Sequence, residues 1–96
     1  MAVSVKYDDF ADVLYVKRIR NRINGSRQID DDDESIFLDY DIDGSVCGFV
    51  CLSPGQEAFE SIKRNAHKVP YDIYNAYAVW YWAACALVRR AINENK

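Results

Sequence analysis

Residues 35–52, with the sequence SIFLDYDIDGSVCGFVCL, decide the fold because they describe a strand, a turn and a returning strand. The β-branched and aromatic residues on both sides favour extended chain. Between them, Asp41-Ile42-Asp43-Gly44 predicts a type I turn with Gly44 in the left-handed conformation. Alternation of side chains along each strand predicts two faces for this hairpin. One face takes Ile36, Leu38 and Tyr40 with Val46, Val50 and Leu52, and the other takes Phe37, Cys47, Phe49 and Cys51.

Two further strands are predicted upstream of this hairpin. Val3 to Tyr7 alternates apolar and polar residues, and the run from Val13 through Ile19 is rich in β-formers. Asn24-Gly25 predicts a hairpin turn, because both residues tolerate positive φ, and a short return through Ile29 follows. Residues 1–53 are therefore predicted to form a β-meander of about four strands.

Two helices are predicted after the sheet. Ser53-Pro54-Gly55-Gln56 predicts a helix start, with Ser53 as the cap, Pro54 at the first helical position and Gln56 completing a capping box. Pro70 ends this helix, and a second one spans residues 71–93. The prediction is an α+β fold in one domain over residues 1–96, with an antiparallel sheet followed by a helical part over residues 54–96.

The second predicted helix is apolar on nearly every side. A stripe at spacings of three and four runs along it, while other large apolar residues lie off that stripe, which predicts burial on most faces. Four strands and one short helix cannot surround it, so we predict a homo-oligomer, dimer or higher, built on residues 71–93; the alternative is a monomer with exposed tyrosine hydroxyls. Tyrosine and tryptophan bury a large area at low entropic cost. The expected interface residues are Tyr74, Tyr77, Trp80, Tyr81, Trp82 and Leu87.

The cysteines and the amino terminus favour a reducing compartment. Three cysteines are an odd number without a disulfide framework spacing, and no apolar signal segment follows Met1. The longest apolar run, residues 76–88, is shorter than the roughly twenty residues that a membrane-spanning helix needs. We therefore expect a cytoplasmic protein with free thiols.

Charge is arranged in blocks along the chain. Residues 17–27 hold five bases and no acid, and residues 28–62 hold ten acids and no base. The run Asp30-Asp31-Asp32-Asp33-Glu34 predicts a solvated loop, neutralised across strands by the basic stretch Lys17–Arg27. The same five acidic residues are also the predicted partner-binding surface, because such a surface would occupy a basic site on another protein.

Residue patterns for catalysis or cofactor binding are weak. Asp39-Tyr40-Asp41-Ile42-Asp43-Gly44 matches the opening of a calcium loop, but Val50 stands where a bidentate glutamate is needed. One histidine, His67, and no C-x-x-C spacing argue against zinc. We assign no catalytic residue, metal ligand or cofactor. Two alternatives stay open: a ligand- or metal-binding protein or enzyme using the Asp8–Asp12 and Asp39–Asp43 turns, and a nucleic-acid binder using Lys17–Arg27.

Two spaced motifs resemble a known family. Residues 7–15 fit Y-D-x-x-x-D-x-L-Y and residues 39–48 fit D-Y-D-x-D-G-x-x-x-G, the pattern of the small bacterial family called domain of unknown function 2283. The resemblance covers roughly residues 3–60 and implies no established activity. Because some members sit beside toxin-like genes, it implies an antitoxin-like partner role. The insert between the second and third strands, Val50 in place of a common acid, and the helix from Tyr71 onward depart from that pattern.

The combined prediction is a non-enzymatic protein-interaction domain. It would bind and neutralise or sequester another protein, as an antitoxin or a phage-type inhibitor does, with the acidic run as the contact. A basic protein is the expected partner, while nucleic acid and membrane are not expected.

Overall fold

The structure, a computed structural model, describes the backbone of residues 2–94 and the side chains of residues 2–87 and Arg90. A five-stranded antiparallel sheet is followed by two helices, which confirms the predicted α+β fold with five strands instead of about four. The strands are β1 Val3–Asp8, β2 Val13–Arg18, β3 Gly25–Asp30, β4 Asp33–Tyr40 and β5 Val46–Leu52. The helices are α1 Gln56–Arg64 and α2 Tyr71–Glu94, with a 3-10 turn at Ala66–Lys68 between them.

The strand order is β1-β2-β5-β4-β3, so the predicted meander is wrong. Strands β3, β4 and β5 follow one another, but β2 lies beside β5 and the connection at residues 19–24 crosses the end of the sheet, as in a Greek key. Asn24-Gly25 therefore does not turn β2 back on itself. It opens β3 at the far edge of the sheet, where the Asn24 amide donates to the Tyr40 carbonyl at 2.7 Å.

The predicted faces of the β4–β5 hairpin hold only next to its turn. Tyr40 pairs with Val46 as expected, but the register shifts between Asp39 and Tyr40, and from there Asp39 pairs with Gly48. One additional residue on β5 is the mark of a β-bulge, and it reverses the face of everything beyond it. Ile36 consequently pairs with Cys51, and Leu38 with Phe49, on the buried face.

The core lies between one face of the sheet and the two helices. The pairing places apolar side chains of β2, β4 and β5 on this face, and Ile62, Ile73 and Tyr77 of the helices pack against them. Phe49 and Tyr77 meet edge to face, with ring centroids 5.3 Å apart. The fully buried residues of the sheet are Leu14, Val16, Ile36, Cys47, Phe49 and Cys51.

Helix α1 begins later than the capping pattern predicts. Gly55 is its N-cap and no side chain caps it, so the predicted roles of Ser53 and Gln56 are wrong. Ser53 takes a left-handed conformation (φ 54°) and its amide donates to the Asp12 carbonyl at 2.8 Å, which ties the end of β5 to the start of β2. Ser53 closes the sheet, and the N-cap of the helix lies two residues further on.

Helix α2 is longer than the body that it packs on. Its 24 residues span about 36 Å. Ile73 and Tyr77 are fully buried, whereas Trp82 is 56% and Leu87 65% exposed. We call residues 82–94 the α2 overhang. No helix in the described part of the chain combines the length and the hydrophobicity that crossing a bilayer requires.

Candidate protein-interaction surfaces

Three acidic segments meet at one end of the sheet. Val13 at the start of β2 pairs with Leu52 at the end of β5, and Ile36 near the start of β4 pairs with Cys51. The β1–β2 turn, the β3–β4 turn and the start of α1 therefore lie at the same end. We call the exposed part of these segments the acidic end; it comprises Asp9, Phe10, Asp12, Asp31, Asp32, Glu34 and Glu57.

The acidic run is a tight turn between two strands, so the prediction of a solvated loop is correct only for part of it. Asp30 ends β3 and accepts from the Asn65 amide at 2.9 Å. Asp33 begins β4 and accepts from the backbone and the hydroxyl of Ser35. Burial acts to raise the pKa of Asp33, but these hydrogen bonds outweigh it and the pKa is lowered. Of the predicted partner-binding residues, Asp31, Asp32 and Glu34 remain exposed for a partner.

The β1–β2 turn presents an aromatic residue among these carboxylates. Asp8 accepts from the amides of Phe10 and Ala11, both at 3.1 Å, and the Tyr7 hydroxyl donates to Asp12 at 2.6 Å. Asp12 is left-handed (φ 56°), a conformation that aspartate tolerates. These contacts hold the side chain of Phe10 outward, and it is 99% exposed. The sequence pattern indicates only that Phe10 belongs to the Asp8–Asp12 turn.

The second aspartate turn lies at the opposite end of the sheet. Asp41 accepts from the amides of Asp43 and Ser45, and its other oxygen accepts from the Asn21 side chain at 2.9 Å. Gly44 has φ 81°, as the turn prediction required. The Asp8–Asp12 and Asp39–Asp43 turns thus do not converge on one site, and one oxygen each of Asp8 and Asp41 accepts backbone amides within its own turn. Among the side chains that the structure describes, no group of three histidine, cysteine or acidic residues is placed to hold a metal ion.

Asp39 differs from the other aspartates because it is buried within the sheet. It is 3% exposed and accepts from the Ser26 hydroxyl at 2.7 Å. Burial raises its pKa, while the Ser26 hydrogen bond and the charge of Lys17 act to lower it. Ionised Asp39 therefore carries a desolvation cost, and no salt bridge to Asp39 offsets that cost among the described residues.

The comparisons with known proteins bear on these turns. The profile of a family described as "Protein of unknown function (DUF2283)" matches residues 4–53. The chain belongs to this family. A comparison with curated proteins and one with solved structures each gave no match. The two motifs of the DUF2283 family fall on the β1–β2 turn and the β4–β5 hairpin, where Asp8 and Asp41 accept backbone amides and Gly44 has a positive φ.

The cysteines of the DUF2283 sheet are not poised for nucleophilic chemistry. Cys47 and Cys51 are fully buried and, like Cys85, form no disulfide. Burial raises the pKa of Cys51 to about 12, with further contributions from Asp33 and Asp12. A thiol with so high a pKa supplies almost no thiolate near neutral pH.

Lys17 and Arg18 of the basic stretch do not lie across from the acidic run. Strands β2 and β3 are separated by β5 and β4, so the predicted cross-strand contact is not formed. Arg18 instead makes two 2.9 Å hydrogen bonds to Asp72 of α2. Arg20 and Arg22 are exposed near the Asp41 turn, where Asp43 is also exposed. This mixture of charge makes the end opposite the acidic end a poor track for phosphates.

The six predicted interface residues are divided between the core and the surface. Tyr77 is fully buried within the chain and offers no area to a partner. Tyr74, Trp80 and Tyr81 are half-buried against the core, and only Trp82 and Leu87 are exposed. All of α2 lies outside the DUF2283 match.

An aromatic groove separates the start of α1 from α2. Its volume is about 540 Å³, and Phe59 stacks on Tyr81 along one wall with ring centroids 4.2 Å apart. Trp82 meets Phe59 edge on at 5.5 Å. This groove could not be predicted from the sequence, because Phe59 and Tyr81 lie on different helices and meet only in the folded chain. Its other lining residues include Pro54, Gln56, Glu60 and Cys85.

Proposed function

We propose that this DUF2283 protein is a non-enzymatic interaction domain that binds a basic protein through its acidic end. The observation that carries the proposal is that exposed carboxylates from three separate segments lie at the same end of the sheet as one fully exposed phenylalanine. An aromatic anchor within a charged rim is the usual anatomy of a protein-binding surface. Carboxylates around it would steer a basic partner and fix its orientation.

The rigidity of the acidic end supports this proposal. Asp30 and Asp33 are held by Asn65 and Ser35, and Asp8 holds the turn that presents Phe10. A surface fixed before binding loses little conformational entropy when a partner arrives. Lys17 and Arg18 of the basic stretch lie near the opposite end of β2, whereas Arg27 and Arg64 line cavities beside the acidic run.

The finer proposal is a neutralising role, antitoxin-like or that of a phage-type inhibitor, in the cytoplasm. A preformed acidic surface suits occupation of a basic functional site on another protein. Three cysteines outside disulfides, two of them buried, are compatible with a reducing compartment.

The test compares tagged variants as baits in nuclease-treated lysate of the source cells. Phe10→Ala removes the anchor, and Ile42→Ala is its matched control because Ile42 is 83% exposed on the opposite turn. Asp31→Asn with Asp32→Asn removes charge at the acidic end, and Asp43→Asn removes it at the other end. We expect to capture one protein whose affinity falls about tenfold or more with Phe10→Ala and with Asp31→Asn plus Asp32→Asn, which corresponds to roughly 1.4 kcal/mol. Its affinity for the controls Ile42→Ala and Asp43→Asn is expected to equal that for the wild type.

Salt dependence completes this test. Binding of the purified partner is expected to weaken as salt rises from 50 to 300 mM, because exposed charges are screened. The proposal fails if no captured protein distinguishes Phe10→Ala from Ile42→Ala.

A further inference from the structure

A polar cavity of about 390 Å³ lies in the acidic end, between the β3–β4 turn and helix α1. The turn contributes Asp30, Asp32 and Asp33 to its lining, and α1 contributes Glu57 and Ser61. Its volume falls within the range of about 300–1,000 Å³ that is common for ligand sites. The acidic end thus contains a concave site as well as an exposed charged surface. The other lining residues are Ser35, Leu52, Ser53, Ala58 and Arg64.

Ser61 brings an unpartnered hydroxyl to this cavity. The residue is only 2% exposed, and its hydroxyl makes no hydrogen bond among the residues that the structure describes. It lies near the Asp33 carboxylate and acts to lower the pKa of Asp33, although the geometry of a hydrogen bond is not reached. A buried polar group without a partner carries a free-energy cost, which a ligand that hydrogen-bonds it removes. Ser61 therefore marks the cavity as a site for a polar ligand.

The carboxylates that line the cavity are only partly used within the chain. Both oxygens of Asp30 accept hydrogen bonds at 2.9 Å. Asp32 and Glu57 are exposed, and their side chains accept no hydrogen bond from the described residues. Arg64 is a base in the same lining, but it forms no ion pair in the part of the chain that the structure describes. Four carboxylates against one guanidinium leave the cavity with an excess of negative charge, which favours a cation.

We propose that this cavity binds the guanidinium group of an arginine side chain of the basic partner. A planar guanidinium has five donors in a fixed fork, so it can bind Asp32 on the turn and Glu57 on α1 together and still donate to Ser61. A lysine ammonium is a compact point charge and matches separated acceptors less well. The described carboxylates do not form a group placed to hold a metal ion. The inference rests on the proposed function, because it names the partner residue that the acidic end recognises.

The test titrates the full chain, labelled with ¹⁵N, with N-acetyl-arginine amide and follows the backbone amides by NMR. We expect saturable shifts at Asp32, Glu57 and Ser61. N-acetyl-lysine amide carries the same charge and is expected to bind at least fivefold more weakly. N-acetyl-citrulline amide has nearly the same shape without the charge and is expected to cause no saturable shift.

Variants separate this cavity from the general negative charge around it. Glu57→Gln is expected to weaken arginine binding at least fivefold, because Glu57 lines the cavity. Glu34→Gln is the matched control, since Glu34 is exposed in the acidic end but is not part of that lining. Ser61→Ala is expected to weaken binding at least fivefold without lowering the thermal midpoint, because it removes an unpartnered hydroxyl.

Each outcome bears on one inference or the other. The guanidinium site is overturned if the arginine probe causes no saturable shift up to 50 mM, or if Glu34→Gln weakens binding as strongly as Glu57→Gln. It is also overturned if a captured partner that depends on Phe10 binds Glu57→Gln and Ser61→Ala as tightly as the wild type, and in that case the proposed function stands. Arginine binding with these variant effects, but without any partner that depends on Phe10, supports the site and contradicts the proposed function.

Discussion

Asp39 shows how one residue of the family motif differs from its neighbours. Asp8 and Asp41 stabilise turns by accepting backbone amides, whereas Asp39 stands buried with one hydroxyl donor. A buried carboxylate with a raised pKa favours the folded state when protonated and opposes it when ionised. Ionised Asp39 therefore lowers the stability of the fold. A substitution that raises stability but impairs function would identify a functional role at this position.

Asp39→Asn is expected to stabilise the fold by about 1 kcal/mol at pH 7, the scale of an incompletely compensated buried polar group. Asparagine can still accept from Ser26 and carries no charge. The raised pKa gives the pH dependence: the advantage of the variant is absent below the unfolded pKa of about 4 and grows as pH rises through the folded pKa. Urea unfolding from pH 3 to 8 measures it, with Asp43→Asn as the exposed control. An advantage that shrinks as pH rises would contradict this account.

Tyr77 is the second residue with an uncompensated polar group. Its ring fills the core against Phe49 and Phe59, but its hydroxyl is buried without a hydrogen-bond partner among the residues that the structure describes. Tyr77→Phe keeps the ring and removes the desolvated oxygen, so we expect about 1 kcal/mol of added stability. Thermal unfolding followed by circular dichroism measures it. Tyr15→Phe is the control, because Tyr15 is 42% exposed, and its effect is expected to stay within about 0.5 kcal/mol.

At the scale of elements, the β-bulge explains what the sequence could and could not predict. Strand positions followed from β-formers, and the turn at Asp41–Gly44 followed from its residue types. The faces of the hairpin could not be predicted in this way. Cys47 is the extra residue opposite β4, and Gly48 beyond it pairs with Lys17 of β2 on its other side. Local alternation carries no information about that third strand.

Gly48→Ala tests the bulge directly. A Cβ at this position would clash with the Val16 carbonyl oxygen and would lie 2.9 Å from the Lys17 Cα, both of them backbone atoms. Backbone atoms move aside less readily than the end of a flexible side chain. We therefore expect Gly48→Ala to lower the free energy of unfolding by about 2–3 kcal/mol, comparable to overpacking a core. Gly25→Ala, with nothing within 4 Å of the added Cβ, is expected to be close to neutral. Equal urea midpoints for the two variants would show that the sheet can open here freely.

The attachment of α2 depends on the half-buried pair Arg18 and Asp72, which links the end of β2 to the first turn of the helix. The hydrogen bond from Arg18 lowers the pKa of Asp72, so the contribution is complete above the unfolded pKa and disappears as pH falls through the folded one. Asp72→Asn is expected to cost about 1–2 kcal/mol at pH 7 and little at pH 2. Arg18→Lys, which keeps charge but not the two-pronged contact, is expected to cost less. A gap between wild type and Asp72→Asn that persists unchanged at pH 2 would rule out this linkage.

At the scale of the whole molecule, the helices and the excess of apolar residues on α2 could be predicted from the sequence. The prediction of Tyr77 as an interface residue was wrong, because Tyr77 is completely buried within the chain. The length of α2 relative to the sheet decided which of its residues stay exposed. That comparison requires the strand order, which arises from pairing between β2 and β5, far apart in the chain. The acidic end likewise came together only through this order.

The homo-oligomer predicted from the sequence, with Leu87 in its interface, has a thermodynamic signature for the whole molecule. Because association stabilises only the folded state, the thermal midpoint of the wild type is expected to rise by several degrees between 2 and 200 µM. Leu87→Glu is expected to show no such rise, and Phe10→Ala should behave as the wild type. A midpoint independent of concentration would speak for a monomer.

The strand order also has a consequence during synthesis. Strand β2 leaves the ribosome long before its neighbour β5, since residues 19–45 must be translated between them. Until then, the β1–β2 hairpin has an unpaired edge and its apolar residues Leu14 and Val16 lack their cover. A nascent chain in this state is prone to strand addition by other chains. The connection that follows β2 contains two arginines and two asparagines in residues 19–24. Charged side chains next to the unpaired edge of β2 disfavour the addition of a strand from another chain.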